Sequence, residues 1–237
     1  MDLPLVLVIV VTSVIQSVFG VGVLLFGTPL LLMFGYPFVP TLATLLPISL
    51  TINLLQVIGG QKHIHFAFYR RLLLYSVPPI VLLLAFTVTM AVNVSFVIGL
   101  FLLLISLKAF SARVEKGIGY LFRFEKSFLL LQGIVHGLTN LGGSLLTSKV
   151  FSLKISKPEK RATISLSYLT FALFQLLTLA SLDQLGDFNL YYVLIGSLVF
   201  ILTEGLVYRK IPSQQYDTLF AGFLFFSGSM LIYKGVL

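Results

Sequence analysis

Two apolar stretches interrupted by glycines hold the residues of this sequence that could bind a solute. The first spans residues 16–29 and the second spans residues 132–144. A helix that breaks inside a membrane exposes unpaired backbone N–H groups and the positive end of its dipole, and both features favour an anion. Glycine allows the backbone to approach a ligand closely. The two stretches therefore predict a binding site for a small anion.

The candidate substrate-binding residues lie in these stretches or on apolar segments that could face the same cavity. They are Gly20, Gly22, Gly27, Thr28, Thr44, Gln56, His136, Asn140, Gly142, Gly143, Ser144, Thr163 and Gln175. We predict no catalytic residue, no metal ligand and no cofactor. Close packing between membrane helices is the alternative role of the small and hydroxyl residues. His136 is either a packing residue or a ligand or proton relay.

The composition predicts a helical membrane protein. Of 237 residues, 58% are hydrophobic and 10% charged, against about 25% charged in a typical soluble domain. The sequence does not alternate as a membrane barrel would. The net charge of +8 comes from basic residues clustered between apolar runs, which indicates cytoplasmic loops and no nucleic-acid partner. The chain has no cysteine, so disulfides and thiolate chemistry are excluded.

Eight apolar runs are candidates to cross or enter a bilayer, for which about 20 residues are needed. They are Leu3–Phe34, Val39–Ile58, Leu72–Ala91, Val94–Leu107, Ser127–Lys149, Ala162–Leu182, Leu190–Leu206 and Asp217–Tyr233. No basic segment precedes the first run, so we expect it to be retained and not cleaved as a signal peptide.

Near the end of the seventh run, Glu204 is expected to pair with Arg209, and a coupling-ion role is the alternative.

The loop charges predict how the runs thread through the membrane. The two most basic loops, residues 108–126 and 149–161, flank the fifth run. Basic loops lie in the cytoplasm, and a single crossing between these two would force one of them outside. We therefore predict that the fifth run enters and returns on the cytoplasmic side, turning at Gly142 and Gly143. A matching hairpin in the first run leaves both termini outside.

Polar residues recur at similar positions in the two halves of the chain. The pairs include Gln16 and Gln132, 116 residues apart, and Thr44 with Thr163 and Gln56 with Gln175, each 119 apart. One broken hairpin plus three crossings makes an odd number of crossings, so a second copy is inserted in the opposite orientation. The predicted fold is one all-α membrane domain, residues 1–237, with inverted repeats at about 1–115 and 116–237.

These residues resemble the sulfite exporter TauE/SafE family of membrane permeases. The likeness is carried by Gly20-Val-Gly22 with Gly27-Thr28-Pro29-Leu30-Leu31, by Gly137-x-x-Asn140-x-Gly142-Gly143, and by the pairs Ala43-Thr44 and Ala162-Thr163. The resemblance implies transport of sulfite, thiosulfate, sulfonates or related oxyanions across a prokaryotic cell membrane, usually as export. The first motif has fewer glycines than is usual in the family, and Ser144 stands where proline is frequent.

We therefore predict a secondary transporter of a small sulfur-containing oxyanion, with its site near the midplane between the two hairpins. Its partners would be the anionic solute, the lipid bilayer and a coupling proton or Na+, while the oligomeric state is left open. One alternative is a membrane assembly or sensor subunit that transports nothing. Another is an intramembrane hydrolase that uses Ser144 with His136, although Ser144 has no Gly-x-Ser-x-Gly setting.

Overall fold

A computed structural model of the protein describes residues 2–94, 96–101, 103, 111, 117, 119–186 and 189–207. All regular secondary structure among these residues is helical. The principal helices are α1 Leu3–Phe19, α2 Val23–Met33, α3 Phe38–Gly60, α4 Phe66–Thr89, α5 Glu125–Thr139, α6 Gly143–Ser152, α7 Lys157–Ser181 and α8 Leu190–Val207. The predicted run Asp217–Tyr233, Arg209 and part of Val94–Leu107 lie outside the described residues.

Three helices are long and apolar enough to cross a membrane. They are Phe38–His63, which is α3 with a short 3-10 turn, Phe66–Thr89 in α4 and Pro158–Ser181 in α7. A helix of 24 residues is about 36 Å long, which exceeds the hydrocarbon thickness of about 30 Å. The apolar helices Leu3–Ser17, Val23–Met33 and Leu190–Glu204 are shorter. The prediction of an all-helical membrane protein is thereby confirmed.

The first and fifth apolar runs are each broken into two helices, where their glycines predict a break. Between α1 and α2 the chain passes through Gly20, whose φ of 76° is left-handed. Between α5 and α6 it passes through Asn140, whose φ of 61° is also left-handed. The second break thus begins two residues before the predicted turning point at Gly142, because asparagine also adopts this conformation.

The helix pairings of one half recur in the other half. At the centre α3 packs against α7, while α1 packs against α8 and α4 against α5. The remaining pairs are α2 with α3, α6 with α7, α3 with α8, α4 with α7, α1 with α2, and α5 with α6. If α1, α2, α3 and α4 are exchanged with α5, α6, α7 and α8 in that order, the same set of helix pairs results. The hairpins are therefore held mainly by helices of the opposite half, α8 for the first and α4 for the second.

Two glycines of α5 serve helix packing. A Cβ built on Gly133 would lie 2.5 Å from the carbonyl oxygen of Ser76, and one built on Gly137 would lie 2.9 Å from that of Ile80. These contacts bring the backbones of α4 and α5 close together, as small residues four apart do in membrane helices. Gly137 is thus a packing residue. The candidate site is positioned by the break between α5 and α6.

Candidate solute-binding site at the helix breaks

The first break is closed by the side chain and backbone of Gln16. The carbonyl oxygen of Gln16 accepts from the backbone N–H of Gly20 at 2.8 Å, and its Oε1 accepts from the N–H of Val23 at 2.9 Å. A Cβ built on Gly22 would lie 2.6 Å from the carbonyl oxygen of Thr12 and from the backbone nitrogen of Gln16. Gln16 therefore satisfies one exposed N–H at the start of α2, and Gly22 allows the two helices to touch.

The second break has the same construction with different side chains. The N–H of Asn140 donates to the carbonyl oxygen of His136 at 2.8 Å, and Gln132 Nε2 donates to the carbonyl oxygen of Gly142 at 3.4 Å. A Cβ built on Gly142 would lie 2.5 Å from the carbonyl oxygen of Gln132 and 2.7 Å from the nitrogen of His136. Gly143 lies against Tyr168, whose hydroxyl oxygen would overlap a Cβ built on the glycine.

Gly22 and Gly142 each contact the residues six and ten positions before them. This spacing sets equivalent positions of the breaks 120 residues apart, whereas the pairing of Gln16 with Gln132 implies 116. In these contacts Gln16 has the position at the first break that His136 has at the second.

A chain of buried side chains joins the second break to α2 and α7. Asn140 Nδ2 donates to Thr28 Oγ1 at 2.9 Å, and Gln175 Nε2 donates to Asn140 Oδ1 at 3.2 Å. All three side chains are buried. The break of the second half thus contacts the first half directly, through three residues that the sequence predicts for the site.

A second polar cluster surrounds the first break. Gln56 Nε2 donates to the carbonyl oxygen of Gln16 at 3.4 Å, and the Ser165 hydroxyl donates to Gln56 Oε1 at 3.2 Å. Ser165 and Gln175 are ten residues apart on α7, which is about 15 Å along a helix. The two breaks therefore lie at different levels of α7, whereas the sequence predicts one site between two tips.

Several buried polar atoms at the breaks have no hydrogen-bond partner among the residues that the structure describes. They are Gln16 Nε2 and Gln132 Oε1, while the imidazole of His136 interacts with the side chain of Gln175 and has no other hydrogen-bond partner among these residues. The imidazole is fully buried, with its centroid 4.8 Å from that of Phe171 and 6.4 Å from that of Tyr168. Buried polar groups are almost always paired, and leaving one unpaired costs about 1–3 kcal/mol. Most of these atoms lie at the second break.

Four other predicted residues have contacts of a different kind. Gly27 packs on Leu45, whose nearest methyl carbon would lie 2.9 Å from a Cβ. Thr44 lines an open groove of about 280 Å³, and Thr163 Oγ1 accepts from the N–H of His65 at 3.0 Å. The Ser144 hydroxyl donates to the carbonyl oxygen of Leu141 at 3.0 Å. None of these contacts joins the residue to the chain of Asn140 and Gln175.

Tyr168, Ser165 and Arg161 are contact residues that sequence reasoning missed. Ser165 and Tyr168 carry no motif that separates them from other polar residues of an apolar helix. Arg161 is expected only as a basic loop residue, yet it forms an ion pair with Glu204. The predicted partner of Glu204, Arg209, lies outside the described residues. A contact between residues 43 positions apart in sequence gives no local signal.

Membrane-length apolar helices, two helix breaks and buried polar atoms at those breaks are the features of a membrane transporter. The family model described as sulfite exporter TauE/SafE matches residues 5–231. The chain therefore belongs to this family of membrane permeases, as the resemblance of its motifs predicts. No curated protein and no solved structure matches the chain.

Proposed function

We propose that the protein is a secondary transporter that exports a small sulfur-containing oxyanion such as sulfite, thiosulfate or a sulfonate. The observation that carries this proposal is the group of buried amide and imidazole side chains at the second break, Gln132, His136 and Gln175, whose hydrogen bonds among the described residues are incomplete. They surround Asn140, which is linked to Thr28 on one side and to Gln175 on the other. A solute held there would contact both halves of the chain, so its binding would be sensitive to their relative position.

The chemistry of these side chains suits an oxyanion. Amide, imidazole and hydroxyl groups supply N–H and O–H donors for oxygen atoms that only accept. The same side chains supply acceptors, such as Gln132 Oε1, for a hydroxyl proton of a partly protonated oxyanion. None of the unpaired atoms at the breaks belongs to a carboxylate, so the cluster offers no negative charge to repel the solute. Binding by neutral groups is also weak enough to permit release.

We further propose that the two halves are inverted repeats that move relative to each other. The exchange of helix pairings between the halves supports this, as does the common spacing of contacts at Gly22 and Gly142. In proteins with inverted repeats, movement of one repeat against the other opens a central site to each side in turn. The candidate residues on α2, α7 and the second break would then form a site that alternates between the two sides.

Cysteine labelling tests the proposed topology, because the natural sequence contains no cysteine. Gly119 and Ser156 are exposed and lie on either side of the α5–α6 pair. In whole cells and inverted vesicles, an impermeant thiol reagent should label Gly119→Cys and Ser156→Cys from the cytoplasm only. Labelling of the two positions from opposite sides would mean that the pair crosses the membrane once, which would overturn the re-entrant hairpin.

Transport by the purified protein tests the proposed function. Proteoliposomes should accumulate or release 35S-labelled sulfite, thiosulfate or a labelled sulfonate faster than protein-free liposomes, with saturation and with competition among these anions. An imposed pH gradient or an imposed Na+ gradient should accelerate the flux, and the effective gradient identifies the coupling ion. If no sulfur oxyanion moves above the rate of empty liposomes under either gradient, the proposed function is wrong.

A further inference from the structure

One ion pair covers the first break and has no equivalent at the second. Arg161, at the start of α7, forms a salt bridge with Glu204 near the end of α8. The residues 119 positions earlier are Leu42 and Ala85, which carry no charge. Among the described residues the remaining ion pairs join Glu125 to Arg71 and to Lys149. The charge at the first break is therefore a departure from the internal repeat.

Arg161 lies directly over the turn of the first hairpin. A Cβ built on Gly20 would lie 3.1 Å from Arg161 Cγ, and Arg161 Nη2 is 3.5 Å from the carbonyl oxygen of Ser17. The Ser17 hydroxyl accepts from Thr203 at 2.9 Å, one residue before Glu204. The ion pair thus joins α7 to α8 beside the last turn of α1, at the point where the chain turns back.

This ion pair stands between the surface and a buried polar atom without a partner. The side chains of Arg161 and Glu204 are 20% and 37% exposed, so dissolved ions can reach both. Gln16 accepts from the backbone N–H of Gly20, is 1% exposed, and its Nε2 has no partner among the described residues. An anion that enters here would meet a guanidinium first and a buried amide donor next.

We propose that Arg161 is the first residue to bind the transported anion and that Glu204 occupies its guanidinium until the anion arrives. A carboxylate and a sulfur oxyanion present similar oxygen atoms to the planar fork of arginine. The anion replaces Glu204, which releases α8 from α7 beside the first break and opens the route to Gln16. The proposal rests on the proposed function, since it requires that the solute be an oxyanion.

Binding and initial transport rates of 35S-labelled sulfite in proteoliposomes test this role. Arg161→Gln should raise KM about 10- to 100-fold, because a hydrogen bond to a charged group is lost. Glu204→Gln should lower KM severalfold, because the competing carboxylate is gone. The KM of Arg161→Lys should lie between those of the wild type and Arg161→Gln, since lysine keeps the positive charge but lacks the planar pair of N–H donors. The matched control is Arg71→Gln, which breaks an ion pair away from the helix breaks and should leave KM unchanged.

A charge exchange separates anion binding from a purely structural role. The double variant Arg161→Glu with Glu204→Arg restores an ion pair between α7 and α8. Its Tm should therefore be higher than that of Arg161→Gln and close to that of the wild type. Its KM for sulfite should stay high, because the guanidinium no longer lies over Gly20. If the double variant recovers both the Tm and the KM of the wild type, the proposal is wrong. It is also wrong if Glu204→Gln raises KM or leaves it unchanged. Failure of wild-type protein to bind or transport any sulfur oxyanion would instead overturn the proposed function, and this role with it.

Discussion

Gly22→Ala and Gly142→Ala should each lower the thermal stability of the protein. The new methyl carbon would lie 2.5–2.6 Å from backbone carbonyl oxygens of the preceding helix, and backbone atoms cannot move aside as a flexible side chain can. Overpacking of this kind costs about 1–3 kcal/mol or more, and about 3 kcal/mol lowers Tm by about 6–12 °C in a chain of this size. Thermal unfolding of the purified protein in detergent measures the effect.

Gly59→Ala is the matched control for these two glycines. It lies in α3, and a Cβ built on it would have no atom within 4 Å, so its Tm should be unchanged or slightly higher. The backbone of Gly142, with φ −57° and ψ −12°, is in the right-handed helical region that alanine adopts, so Gly142→Ala tests the contact alone. Wild-type Tm in both alanine variants would contradict the close approach of the helices at the breaks.

Asn140→Gly should lower the kcat/KM of sulfite transport about 10- to 100-fold while the protein remains folded. Glycine keeps the left-handed backbone that ends α5, where φ is 61°, so the break itself is retained. The amide that joins Thr28 to Gln175 is lost, and with it the contact between the two halves next to the site. Initial rates of 35S-labelled sulfite uptake into proteoliposomes measure the loss.

Thr178→Val controls for the removal of a polar group close to Gln175 in sequence. The Thr178 hydroxyl donates to the carbonyl oxygen of Phe174 in its own helix at 2.8 Å, so its transport rate should be close to that of the wild type. Unchanged transport in folded Asn140→Gly protein would show that this side chain takes no part in binding the solute.

The helix breaks could be predicted because glycine and left-handed turns act locally. Glycines inside apolar runs predicted both broken helices, and amides in the same runs predicted where polar contacts would lie. The loop charges added a prediction of sidedness, which the labelling of Gly119→Cys and Ser156→Cys tests. Gln175 and Asn140 were predicted as separate residues, and the structure shows that their side chains are hydrogen-bonded.

Contacts between distant parts of the chain could not be predicted from one sequence. The ion pair of Arg161 with Glu204 depends on how α7 and α8 pack, and the position of Tyr168 against Gly143 depends on the approach of α6 to α7. The 120-residue spacing between the contacts of Gly22 and those of Gly142 could not be predicted from residue identities, because Gln16 has the position at the first break that His136 has at the second.

Locating a bound anion tests the central claim most directly, namely that the second break binds the solute. Selenite is a heavier analogue of sulfite, and its selenium atom gives an anomalous diffraction signal that locates it in crystals. The predicted result is a selenium peak within hydrogen-bonding reach of the side chains of Asn140, Gln175 or His136, and its loss in Asn140→Gly crystals. A peak only in the open groove that Thr44 lines, or no peak at either break, would contradict the account.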